Sequence, residues 1–115
     1  MKIRIKGNSI RYRLSKTDIA RFAKDTYIQE TIEFGDQTLT YALQQTPSDK
    51  LASTFNNNKI TLLMPVGLAA EWVITDRVGF DGYDNQLYIL IEKDFQCLDN
   101  VAEDQSDNYP NPKTC

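Results

Sequence analysis

The sequence has no histidine among its 115 residues, and only two cysteines, one tryptophan and five glycines. Without an imidazole there is no Ser-His-Asp or Cys-His relay and no histidine-containing zinc site. Cys97 and Cys115 are too few for a four-thiolate zinc site or a cysteine-ligated cluster within one chain. Long apolar runs are also missing. The longest, Leu62 to Ala70, is nine residues and contains Pro65 and Gly67, whereas a bilayer span needs about 20. The opening MKIRIKGNSIRYRL alternates charged and apolar residues and has no continuous apolar core, so a signal peptide is not expected. A cytoplasmic protein with no membrane contact and two reduced thiols is the expectation.

Phosphate-loop and metal signatures fail in the same way. Gly7 is isolated, and the VGFDG stretch ending at Gly82 lacks the Lys-Ser/Thr that completes a P-loop. Asp81 to Glu92 has the length of a calcium loop, but Tyr83 and Gln86 stand where a ligand and the obligatory glycine belong. Cys97 has no imidazole to activate it, and Asp94 nearby would raise its pKa. No cofactor, no metal site and no catalytic residue is therefore expected.

What is present is a domain-sized chain with polarised charge. The length suits one compact domain. The net charge of −3 divides unevenly: residues 1–24 carry eight cations against Asp18, or +7, and residues 25–115 carry five cations against fifteen carboxylates, or −10. Such asymmetry points either to an external polyanion or to neutralisation of one part by the other.

Periodicity supplies the elements. Lys2–Lys6 and Ser9–Leu14 read as strands joined by a Gly7-Asn8 turn, with Ile3, Ile5, Ile10, Tyr12 and Leu14 apolar and Lys2, Arg4, Lys6, Arg11 and Arg13 opposite. Ser15 and Asp18 have capping-box spacing, and Ile19, Phe22 and Ala23 form the apolar stripe of a helix over Lys16–Lys24. A hairpin follows, with Ile28, Ile32 and Phe34 on one face, a Gly35-Asp36 turn, and Leu39, Tyr41 and Leu43 returning. Residues 44–58 are polar and read as a linker with a helical turn around Lys50–Thr54. Lys59–Met64 is a central strand, and Pro65 opens a second helix with Leu68, Ala69, Trp72 and Val73 inward. Val78–Phe80 is a short extended piece, Asp81 to Asn85 a turn, and Gln86–Phe95 the clearest strand. Residues 97–115 are acidic and aperiodic and read as an extended tail beyond a domain of residues 1–96.

An offset of 50 aligns Ile10 with Ile60, Tyr12 with Leu62, Leu14 with Met64, Ser15 with Pro65, Ile19 with Ala69 and Phe22 with Trp72. Repeats over residues 1–44 and 58–95, related by a pseudo-two-fold axis, would account for this match. Two unrelated strand–helix–strand segments would match as well. The fold class expected is α+β: a curved, largely antiparallel sheet with two short helices.

The stretch RIKGNSIRYRLSKTDIARF, with Gly7-Asn8-Ser9, then Arg11 or Arg13, then a helix opening at Ser15, resembles the AbrB/MazE swapped-hairpin family of bacterial transcription factors and antitoxins. That resemblance covers about 40 residues and implies basic side chains near the hairpin contacting DNA from an intertwined homodimer. The family commonly has proline at the place of Ser15; here Pro65 holds the equivalent place in the second half. The whole chain also resembles short, functionally uncharacterised bacterial proteins that open with MKIRIKGNS-type sequences, a resemblance that implies no activity.

Three functions fit these residues. The first is a non-enzymatic binding module whose cations Lys2, Arg4, Lys6, Arg11 and Arg13 contact nucleic acid or an acidic protein partner. The second is an interaction or antitoxin-like component in which the acidic tail engages a partner. The third is a small enzyme using arginines and carboxylates on an anionic substrate. Against them stands an ordinary solvated sheet face, since cations also keep edge strands from pairing.

Overall fold

The computed structural model describes residues 1–95, Asp107, Tyr109 and Pro110. Ten elements follow in order: β1 (Lys2–Lys6), β2 (Ser9–Leu14), α1 (Lys16–Asp25), β3 (Tyr27–Glu33), β4 (Thr38–Thr46), β5 (Ala52–Asn56), β6 (Lys59–Pro65), α2 (Val66–Ile74), β7 (Gly79–Asp84) and β8 (Leu87–Lys93). Turn chemistry sets the hairpins. Gly7 takes a φ of 55° between β1 and β2, Asn57 and Asn58 take 50° and 59° between β5 and β6, and Asn85 takes 56° between β7 and β8. Glycine and asparagine tolerate this left-handed region best. At α1 the Ser15 side chain accepts from the Asp18 backbone N–H and the Asp18 carboxylate accepts from the Ser15 N–H, so the capping box is complete. α2 starts after Pro65 with no side-chain cap.

The strands form two four-stranded sheets, β1-β2-β8-β7 and β3-β4-β6-β5. Both are mixed, which corrects the expectation of a largely antiparallel sheet: hairpins flank a central parallel pair, β2 with β8 in one sheet and β4 with β6 in the other. Periodicity reveals local hairpins and is blind to these pairings, since Ser9 meets Tyr88 across most of the chain. Each sheet thus takes one hairpin from each half. The registers agree with this: Lys2 faces Arg13 and Ala52 faces Leu63, the same pairing shifted by 50 at both partners.

The core fills from both halves. Tyr12, Leu14, Ile19 and Phe22 are buried, and so are Leu62, Met64, Ala69 and Trp72 at the aligned positions. Phe22 and Trp72 meet edge-on at 6.5 Å between α1 and α2, a favoured aromatic geometry.

Three local expectations change. The expected linker 44–58 is mostly strand, because β4 runs to Thr46 and β5 replaces the helical turn near Lys50. Its polar residues face solvent from an edge strand, whose outer side needs no apolar cover. The expected turn over 81–85 contracts to Asn85-Gln86, since Asp84 already faces Leu87 in the ladder. Ile5, Ile32 and Phe34 are exposed, because they lie at or just past the strand ends that lead into the hairpin turns. Among the described residues no helix is long and apolar enough to cross a membrane. The expected tail, with Cys97 and Cys115, falls mostly outside the described residues.

Candidate nucleic-acid interface

Alternation along β1 and β2 sends Lys2, Arg4, Lys6, Arg11 and Arg13 to the outer face of the first sheet, while Tyr12 and Leu14 enter the core. The parallel register with β8 sets Arg13 beside Glu92, Arg11 beside Leu90 and Ser9 beside Tyr88. β7 then adds Asp81 opposite Leu90 and Tyr83 opposite Tyr88. The five expected cations are therefore brought together, on one sheet face that continues into aromatic side chains.

The cations differ in their surroundings. Arg13 Nε donates to Glu92 Oε1 at 3.0 Å, and Arg11 Nε lies 3.6 Å from the same oxygen. Lys2 pairs with Asp94 at 3.0 Å; Asp94 is buried and its backbone N–H donates to Leu14 O. Arg4 and Lys6 form no ion pair among the described residues. The ladder also opposes cation to cation, Lys2 to Arg13 and Arg4 to Arg11. Like charges directly opposite one another destabilise a sheet. Glu92 and Asp94 relieve the first pair, whereas Arg4 has only Arg11 across from it.

At the far side of the face the Tyr83 and Tyr88 rings lie 5.2 Å apart, inclined at 54°. Tyr83 is 70% exposed. Tyr88 donates its hydroxyl to Asp81 Oδ2 at 2.7 Å, and this bond to the carboxylate holds the phenol above its ordinary pKa.

The described part of the tail lies elsewhere. Asp107 accepts from Lys16 N–H and from the Thr17 hydroxyl at the start of α1, and hydrogen bonds from Ser15 and Thr17 hold its carboxyl below the ordinary range. The Tyr109 N–H donates to Asp94 O, and its ring lies 5.6 Å from that of Phe95, tilted at 59°. Lys93 is buried beneath it, its ammonium donating to Thr75 O at the end of α2 and lying 5.1 Å from the Tyr109 ring centre. Burial lowers the Lys93 pKa. This lysine caps a helix end, as cations near helix C-termini do. Among the described residues, the carboxylates that answer the hairpin cations are Glu92 and Asp94 at the neighbouring strand end.

Sequence reading located all five cations but missed Tyr83 and Tyr88 as their neighbours. The alternation of β8 already set Tyr88 and Leu90 on one face. Only the β2–β8 pairing shows that this face adjoins the hairpin. Among the described residues no group of three or more histidine, cysteine, aspartate or glutamate side chains could hold a metal ion.

No curated protein and no solved structure matches the chain. Over residues 1–113 it matches the model of a family of unknown function, DUF7009, and the chain belongs to that family.

Proposed function

We propose that this chain is a non-enzymatic binding module that holds nucleic acid on the outer face of the β1-β2-β8-β7 sheet through Lys2, Arg4, Lys6, Arg11 and Arg13. The observation that carries the reading is the Arg4–Arg11 pair: two like charges directly opposed, with no carboxylate among the described residues paired to Arg4. A phosphate lying between them removes the repulsion that the free protein bears. The AbrB/MazE resemblance supports the same ligand class, and the shared register of the two halves supports an internal duplication. On this reading the second half replaces the swapped partner of a homodimer, and the chain acts in the cytoplasm.

The test is titration of labelled oligonucleotides at about 50 mM and about 200 mM salt. Binding that weakens steeply with salt, and that Arg4→Glu with Lys6→Glu abolishes, is the expected result. Absence of binding at the lower salt rejects the proposal. The antitoxin-like alternative has less support, because Asp107 engages α1 of its own chain. The enzyme alternative has less still, because Arg11 and Arg13 stand on an outer sheet face beside Glu92.

A further inference from the structure

The nucleic acid that fits this face is single-stranded, and the geometry points to Tyr83 and Tyr88 as the platform on which its bases stack. The inference rests on the proposed function and narrows its ligand. A duplex reader built from a β-ribbon inserts two strands into a major groove about 12 Å wide. Here β2 is hydrogen-bonded on both sides, to β1 and to β8, so the hairpin is not a free ribbon. Three strand spacings of about 4.8 Å separate β1 from β7, so the backbone alone spans about 14 Å before side chains are added. The cations sit on that broad face and not on the rim of a two-stranded arm.

A single strand meets the same face differently. Its phosphates lie over Arg4, Lys6 and Arg11, and its unpaired bases turn toward β8 and β7. One ladder row runs Lys6, Ser9, Tyr88, Tyr83 across the four strands. Tyr88 is two strand spacings, or about 10 Å, from the Lys6 backbone, a gap that a sugar and base close together with the lysine side chain. The phenols are suited to stacking. Tyr83 is exposed, and Tyr88 is oriented by its bond to Asp81, so little side-chain freedom is lost on binding. Leu90, half-buried between Arg11 and Asp81, extends the apolar floor in the adjacent row. Cations that follow the backbone and aromatics that receive bases are the two parts that single-strand binders combine.

The experiment compares four probes of about 12 units with the full chain at low salt: single-stranded DNA, single-stranded RNA, duplex DNA, and a DNA strand of abasic sites that keeps its phosphates. A single strand should bind at least about tenfold more tightly than duplex or abasic strand. Tyr83→Ala should weaken single-strand binding roughly five- to hundredfold and leave the abasic probe unchanged, and Tyr83→Phe should restore it. Thermal unfolding of each variant checks that the fold persists, which the exposure of Tyr83 favours. Equal affinity for duplex and single strand, or no effect of Tyr83→Ala, overturns the inference while the cation-dependent reading survives. Failure of every probe overturns both.

Discussion

Arg4 shows how a single side chain separates a stability role from a binding role. Its cross-strand neighbour is Arg11, so Arg4→Glu converts a like-charge pair into an opposite-charge pair, worth about 0.5–1 kcal/mol. The variant should melt a few degrees higher in calorimetry and lose nucleic-acid binding; a lower melting temperature would mean that Arg4 supports the fold. Tyr12 gives a second test. It is fully buried, and burial raises its pKa well above the ordinary phenol value. Because the folded pKa is the raised one, stability is fully present below the unfolded value of about 10 and falls as pH rises beyond it. Denaturant titrations from pH 8 to about 12 should show that decline, and Tyr12→Phe should reduce it, with Tyr41, Tyr88 and Tyr109, whose pKa values are also raised, contributing to what is left. At neutral pH the same substitution should cost about 1 kcal/mol, since the hydroxyl donates to the Ile60 carbonyl at a long 3.5 Å and also meets the Ala42 backbone. Residue-scale chemistry was the most legible part of the sequence. The Ser15–Asp18 capping box follows from spacing alone, and the outward cations follow from strict alternation.

Among the elements, β7 is the least legible and the most demanding. Its Gly79, Asp81 and Gly82 resemble a loop, yet residues 79–84 pair fully with β8. The reason is the close approach at Gly79: a Cβ there would collide with the Ile91 carbonyl oxygen and come within 2.7 Å of Glu92 Cα. Both atoms belong to the β8 backbone, which is held in the ladder, so Gly79→Ala should destabilise by about 3 kcal/mol, read as a shift in the urea midpoint. A change of a few tenths would show that β7 moves freely away from β8. Because β7 and β8 carry Tyr83 and Tyr88, the same variant should also weaken single-strand binding. β5 was misread for a related reason. Its residues 52–56 are polar or exposed after the first two positions, and an edge strand with one ladder partner leaves little hydrophobic signal.

For the molecule as a whole, the two halves are mutually dependent. Neither sheet exists within one half, since β2 finds its parallel partner in β8 and β4 finds its own in β6. Phe22 and Trp72 likewise complete one another's burial. Residues 1–46 alone should therefore not fold as a monomer. At high concentration two copies should pair β2 of one with β4 of the other, repeating the β2–β8 and β4–β6 arrangement. Circular dichroism and sedimentation across a concentration series will show this; a cooperatively folded monomer would contradict it.

Local sequence encodes the turns at Gly7-Asn8 and Gly35-Asp36, both helices, most strands and the side of the first hairpin that carries charge. Each of these depends on neighbours within a few residues, through positive-φ tolerance, capping and the alternation of side chains. The tertiary structure alone decided that the strands divide into two mixed sheets, that Glu92 and Asp94 answer part of the positive charge, and that two tyrosines adjoin the rest. Parallel pairing between distant strands is set by burial of the shared core, in which Tyr12, Leu14, Ile89 and Ile91 close together. No local pattern encodes which surface that burial leaves side by side on the outer face.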